Sequence, residues 1–399
     1  MLFLDEGDFE QQFDLGEFAA TKTVSRAFHP ERVAFLSALS KKILSSAITR
    51  RHPDLVTVAY FCRKASLSRF ERQHLDSSIK NRWGRGVCLH ICPGNIPLNF
   101  AFSFFMGFLS GNVNLVRLPS RVFPQAMLFL EFVKALLQEP QWQKLASQMT
   151  FFRSSRNSPK LLQILDLVDA MVVWGGDTTV IDFREKAGSP GLVFLGFPDR
   201  VSSCVLNAPL IANSSDVEIR NLAERFYNDT FLVDQNACSS PSLLFWVGSQ
   251  ADFRAAQEIF FASLQGVVDE KWTTEGTNLI EKQLDLFRLC GAHNRAFKLE
   301  RATRDIWIFD GSATAPKSFR LGVFTQHNLD ALEEISEHCR PSEQTLTYYG
   351  YEPADFAVMC EGGALNVDRI VPVGRALDMG LIWDGRNTIY ELSRQLLVE

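Results

Sequence analysis

The sequence predicts an α/β protein of two domains, each a parallel sheet with helices on both faces. Three observations predict it. Between Gly86 and Gly196, short apolar runs of strand length alternate with longer runs of helical periodicity. A second alternation of the same kind begins near Arg200. The chain has 399 residues, more than one core comfortably serves, so two domains are the default.

The elements follow in order. Residues 1–80 are the least legible; they predict short helices, one of them over 31–49 with apolar residues three and four apart. "GVCLHIC" (86–92) predicts a strand and "LNFAFSFFMGFLSG" a buried helix closing at Gly111. Strand "VNLVRL" (113–118) precedes a helix over 124–138 with Pro124 at its start, where the missing N–H costs nothing. Then come helix 161–168, strand 170–175 ("AMVVWG"), helix "TTVIDFREKA" and strand 191–196 ("GLVFLG"). The second series holds "VSSCVLN", a helix over about 215–230, strand 242–247, and helices near 251–265 and 276–290.

Composition narrows the function classes. A net charge of -5 gives no reason to expect nucleic acid as a partner. The start of the chain lacks a basic stretch followed by an apolar run, and the most apolar segment, 100–109, is too short to cross a bilayer. A cytoplasmic protein without a membrane span is the expectation. The eight cysteines form no C-x-x-C pair and no zinc-spaced cluster, so reduced thiols without metal are expected. The 33 phenylalanines predict a Phe-rich core, with a minority available to line an apolar pocket for an acyl chain.

Neither G-x-G-x-x-G nor a P-loop is present. Four segments stand out instead. "WGGDTTV" (174–180) places Gly175, Gly176, Asp177 and Thr178 between a strand and a helix, where backbone N–H groups can approach a phosphate. An ordinary turn with Asp177 as N-cap is the commoner outcome. "CPGNIPLN" (92–99) stiffens a turn with Pro93 and Pro97 and presents the Asn95 amide, a group able to donate to an oxyanion or merely to its own backbone. "NLVRLPSR" (114–121) sets Arg117, Ser120 and Arg121 at a strand end, suited to a ribose, its 2′-phosphate, or only to solvent. In "LVDQNACSSPS" (232–242), Cys238 sits on a polar turn, either as a small buried residue or as a nucleophile.

In this order the segments resemble the aldehyde dehydrogenase superfamily, and more closely its acyl-CoA reductase branch, the LuxC-type fatty acid reductases. The similarity runs from about Trp83 onward and includes "RIVPVGRALDMGLIWDG" (369–385). The resemblance implies an aldehyde dehydrogenase-like fold of two Rossmann-like domains with the active site between them. It divides the chain into a helical part (1–80), an NADP(H)-binding domain (81–197), a catalytic domain carrying Cys238 (198–365) and a C-terminal return segment (366–399). It makes Cys238 the nucleophile and Asn95 the oxyanion donor, and assigns Arg117, Ser120, Arg121, Gly175, Gly176, Asp177, Thr178 and Gly196 to the cofactor. Ser120 stands where an acid commonly favours unphosphorylated NAD, so NADP(H) is the expected cofactor. Where hydrolytic members carry the Glu of E-L-G-G, this chain has Phe194, followed by Leu195, Gly196 and Phe197. A Phe cannot be a general base, which favours reduction of an acyl thioester over its hydrolysis. The expected substrate is an acyl-CoA or carrier-bound acyl group, with an acyl-activating partner protein and a homo-oligomer as further expectations. An aldehyde-oxidising dehydrogenase, an acyl-phosphate reductase and an inactive scaffold are the alternatives.

Overall fold

The computed structural model describes residues 3–14, 16, 18, 23–74, 81–273, 276–293, 298–310, 319–339, 342–363 and 365–397. The chain divides into two compact units, one of residues 1–198 with 379–399, the other of residues 199–378.

In the first unit, β1 (Phe3–Leu4), β3 (Val87–Ile91), β4 (Val113–Arg117), β5 (Met149–Phe152), β6 (Ala170–Trp174) and β7 (Val193–Phe197) form a parallel sheet in the order β1-β5-β4-β3-β6-β7. Side chains alternate across it. Val87, Leu89 and Ile91 join one apolar cluster with Leu161, Ile164 and Phe183, while Cys88 and Cys92 join another with Phe100, Phe104 and Phe129. Burial on both faces is why these strands read as continuous apolar runs. The Asn99–Leu109 helix is buried on every side, and its phenylalanines meet Phe61, Phe129 and Phe151 edge-on or stacked. A helix apolar all round has to lie inside, and the outer helices Pro30–Ser45, Pro53–Phe61 and Pro124–Leu137 supply its cover. Arg32, buried on the first of these, donates to the carbonyls of Phe108 and Asn112, each at 2.7 Å, and so satisfies the end of the Phe-rich helix.

The last segment returns to this unit. A strand at Ser393–Gln395 pairs antiparallel with β2 (Arg82–Gly84), and Asn112 donates to the Leu392 carbonyl at 2.8 Å.

The second unit is a seven-stranded sheet in the order β10-β11-β12-β9-β8-β13-β14. The strands are β8 (Val201–Asn207), β9 (Leu243–Val247), β10 (Leu299–Ala302), β11 (Trp307–Asp310), β12 (Val323–Leu329), β13 (Glu343–Tyr349) and β14 (Arg369–Pro372); only β10 runs antiparallel to its neighbour. Helices Asp216–Asp229 and Gln250–Lys271 cover one face around Trp246 and Phe260; Pro353–Glu361 packs on the other with Phe245 and Leu346. Among the described residues, no helix is long and apolar enough to cross a membrane.

Candidate active site

Cys238 lies in the second unit, between the Asp216–Asp229 helix and β9. After the helix, one short turn (Phe231–Val233) leads into two consecutive left-handed residues, Asp234 at φ 53° and Gln235 at φ 55°. Neither is glycine, so each conformation costs about 1–2 kcal/mol. Gln235 shows what offsets that cost. Its buried amide donates to the carbonyls of Pro241 (2.9 Å) and Val323 (3.2 Å), and its oxygen accepts from the Gly322 N–H (3.0 Å). At roughly 1 kcal/mol each, three such bonds are of the same size as the strain. One side chain thus closes the 235–241 loop at its base and ties it to the start of β12.

Inside the loop, the Ser240 N–H donates to the Ala237 carbonyl at 2.9 Å, so Cys238 and Ser239 occupy the corner of a β-turn. Ser202, at the start of β8, donates its hydroxyl to the Cys238 carbonyl (2.6 Å) and accepts from the Thr345 N–H (3.1 Å). The turn therefore abuts the amino ends of β8, β9 and β12. Cys238 itself is half-buried, whereas Cys62, Cys88, Cys92 and Cys204 are buried. Burial pushes those four thiols up, Cys92 to about 12, which makes them poor nucleophiles.

The other candidates belong to the first unit. The sheet order reverses direction at β3, with β4 and β5 on one side and β6 and β7 on the other, and ligands of open α/β sheets bind outside the carboxyl end of such a strand. Asn95 is exposed on the loop leaving that end, between β3 and the Phe-rich helix. Arg117, Ser120 and Arg121 leave β4 and Gly175 to Thr178 leave β6, so two candidate cofactor segments flank the Asn95 loop.

Individual placements refine the expectations. Gly176, not Asp177, is the N-cap of the Asp177–Lys186 helix, and Asp177 is its first helical residue. The extended backbone at Gly176 ends the strand-to-helix turn one residue earlier than an Asp cap requires. Gly196 lies within β7, where a Cβ would come within 2.5 Å of a Val180 methyl; it lets that helix approach the sheet. Arg117 is buried, with Nε (3.1 Å) and Nη2 (2.7 Å) both donating to the Ser154 carbonyl, whereas Ser120 and Arg121 are exposed. Burial, then the nearby Arg156 charge, lowers the Arg117 pKa.

Beneath these loops runs a buried hydrogen-bond chain that sequence reading missed. Trp174 Nε1 donates to Ser103 Oγ (2.9 Å), Ser103 meets His90 Nδ1 (2.8 Å), and His90 Nε2 meets Asn114 Oδ1 (3.1 Å). Asn114 Nδ2 donates to the Asn112 carbonyl (2.9 Å), so Oδ1 accepts and His90 carries its proton on Nε2. Each bond of the chain has one donor and one acceptor when the imidazole is neutral. Burial accordingly lowers the His90 pKa to about 4. Gly107 permits the arrangement, since a Cβ there would sit 2.2 Å from Asn114 Oδ1.

A pH dependence follows. The unfolded chain takes up a proton at His90 near pH 6.5 and the folded one only near 4, so the stability is present above 6.5 and is lost as pH falls through that window. The full effect is on the order of 3 kcal/mol. From pH 7 to pH 5 the urea midpoint of the wild type should change less favourably than that of His90→Gln, the difference between the two falling with pH. Equal slopes would refute the neutral-histidine assignment. Asp229, whose pKa burial raises to about 7, contributes a slope of opposite sign, so the comparison with the variant isolates His90.

A sequence model described as Acyl-CoA reductase (LuxC) matches residues 54–395. The chain belongs to that family. It is 22% identical over 288 residues to the long-chain acyl-protein thioester reductase of Photorhabdus luminescens, covering 70% of this chain and 56% of the relative. With the protein of the same name from Photorhabdus laumondii, identity is 23% over 308 residues, 75% of this chain and 60% of the relative. The chain thus spans little more than half the length of these curated relatives. Among solved structures, the NADP complex of glyceraldehyde-3-phosphate dehydrogenase GapN from Methanocaldococcus jannaschii superposes with a TM-score of 0.65 at 12% identity, over 97% of this chain and 91% of that one. Aldehyde dehydrogenase 21 from Physcomitrella patens gives 0.66 at 12%, over 95% and 87%. The fold is that of the aldehyde dehydrogenases.

The 369–385 segment is held by the half-buried Arg369 and the buried Asp229. Arg369 donates to the carbonyls of Arg375 (2.7 Å), Ala376 (2.8 Å) and Asp378 (2.9 Å). The Asp229 carboxylate accepts from the N–H groups of Gly374 (2.6 Å) and Ala376 (2.8 Å). Phe194 packs beneath the Arg184 guanidinium at 4.9 Å. Among the described residues, no cluster of His, Cys, Asp or Glu could hold a metal.

Proposed function

We propose that this LuxC-family chain reduces an acyl thioester to the aldehyde through an acyl-enzyme on Cys238, with NADPH as reductant. The observation that carries the reading is the Cys238 turn: a half-buried thiol at the corner of a loop closed by Gln235 and pinned by Ser202. Core filler needs no such scaffold. The family match supports the reaction class, and the relatives' names support acyl groups presented on a protein as well as on CoA.

The first unit fits a nicotinamide dinucleotide. Gly175 and Gly176 leave the carboxyl end of β6 beside the reversal at β3, and the close approach at Gly196 seats the following helix tightly. Arg117 would add positive charge beside a 2′-phosphate, with Ser120 and Arg121 as its contacts. Gly175 and Gly176 would hold the pyrophosphate, and the Asp177 carboxylate would oppose a phosphate at the helix start. Bound there, NADPH supplies the hydride.

The chain's own residues do the rest. The Cys238 thiolate attacks the acyl carbonyl carbon, a C–S bond forms, and the Asn95 amide donates to the oxyanion. Collapse expels the thiol of CoA or of the carrier and leaves a thioester on Cys238. Phe194 offers no base to activate water, so the thioester persists until it is reduced. The resulting hemithioacetal breaks its C–S bond, releasing aldehyde and restoring the thiol.

The test is an NADPH-oxidation screen against acyl-CoAs of graded length and an acylated carrier protein, with the aldehyde trapped as a hydrazone. Stoichiometric aldehyde is expected. Acid formation from aldehyde and NADP without the reverse reaction would make the protein a dehydrogenase. A melting temperature unmoved by NADPH or NADH would make it a scaffold.

A further inference from the structure

We infer that Gln235 and Ser202 are positioning residues for the Cys238 thiol, an assignment that rests on the nucleophile reading above. Neither touches a reacting atom. Gln235 fixes the two ends of the loop, because its amide reaches Pro241 on the far side of Cys238 and Val323 and Gly322 at the start of β12. Ser202 fixes the middle, because its hydroxyl holds the carbonyl of Cys238 itself and is in turn held by the Thr345 N–H. The Cys238–Ser239 peptide plane is therefore set by β8, and the loop's register by β12. Two adjacent non-glycine residues at positive φ give the loop a relaxed alternative whenever the amide is lost.

The chemistry of the clasp yields a test that a merely structural residue would not pass. Gln235 presents two N–H donors to two carbonyls and one oxygen to an N–H. In Gln235→Glu the protonated carboxyl still donates to one carbonyl and accepts from Gly322, but the ionised carboxylate sets an acceptor against acceptors. The variant's thiol should therefore behave in the opposite sense to an ordinary one. Wild-type Cys238 alkylation by iodoacetamide rises with pH as thiolate forms. In Gln235→Glu, the rate relative to wild type should be near one at pH 5.5 and fall about tenfold by pH 8, the size of effect expected when a bond holding a reacting group is lost. The exposed Cys360, in the same unit, serves as an internal control and should alkylate at the wild-type rate throughout.

Ser202→Ala removes one oxygen and carries the test should Gln235→Glu fail to fold. Its single-turnover acylation by an acyl-CoA should drop about tenfold with KM little changed and the melting temperature within a few degrees of wild type. Wild-type Cys238 alkylation and acylation rates in folded Gln235→Glu or Ser202→Ala would overturn the assignment. Alkylation does not depend on the substrate, so it reads the clasp even if Cys238→Ala still acquires an acyl group. That latter result would refute the nucleophile and leave the loop geometry standing.

Discussion

Cys238→Ala is expected to lose aldehyde formation by roughly 10⁴-fold or more while the protein stays folded. The size follows from the role: removing a covalent nucleophile removes the route through the acyl-enzyme, and binding alone recovers little of the rate. The preserved fold follows from the site. The turn around residue 238 is held at its backbone, by the Gln235 amide on the Pro241 carbonyl, the Ser202 hydroxyl on the Cys238 carbonyl and the Ser240 N–H on the Ala237 carbonyl. Loss of one half-buried sulfur should therefore shift the melting temperature by no more than a few degrees. Intact mass after incubation with an acyl-CoA gives the direct readout, an adduct of the acyl mass on wild type and none on the variant. An undiminished adduct on Cys238→Ala would move the chemistry to another residue. The four buried thiols are poor candidates for that, since burial raises each of them.

The first unit was the more legible half of the chain, for a physical reason. Strands buried on both faces have to be apolar throughout, so 87–91, 113–117 and 170–174 announce themselves, and glycine, proline and capping residues mark the helices between them. β5 (Met149–Phe152) escaped because four residues after an irregular turn carry no period to read. Past residue 290, β12 and β13 carry polar Gln326, Thr345 and Thr347 at buried positions, which hides them as strands until their partners are known.

The candidate residues were legible as residue types but not as environments. Gln235 looked like one polar residue among several on a turn; its carbonyl partner and one of its amide partners lie some ninety residues further along the chain, in Gly322 and Val323. No local pattern encodes such a pairing. Left-handed backbone is common for Asp, as at 234, but unusual for Gln, so nothing flagged the second residue. Arg117 read as a strand-end cation for a ribose, its 2′-phosphate or solvent, and it is buried with its guanidinium on the carbonyl of Ser154, two residues past the end of the neighbouring strand β5. Long-range closure, more than composition, is what the sequence conceals.

Asn95→Ala should lower kcat by about 10²–10³-fold with KM for the thioester little changed, the usual consequence of deleting one oxyanion donor. The donor contributes only when negative charge develops on the carbonyl oxygen, so ground-state binding is spared. Stability should hardly move, since Asn95 is exposed and its loop is stiffened by Pro93 and Pro97 on either side. Asn95→Asp separates the electrostatic role from a steric one. It keeps the shape and reverses the polarity at one atom, so it should be worse than alanine above the carboxylate pKa, where a negative charge faces a forming oxyanion. Single-turnover acylation measured by rapid quench is the decisive assay, because it isolates the first tetrahedral step from hydride transfer. Acylation at the wild-type rate in Asn95→Ala would remove this residue from the mechanism and leave Cys238 with an oxyanion site built from backbone N–H groups alone.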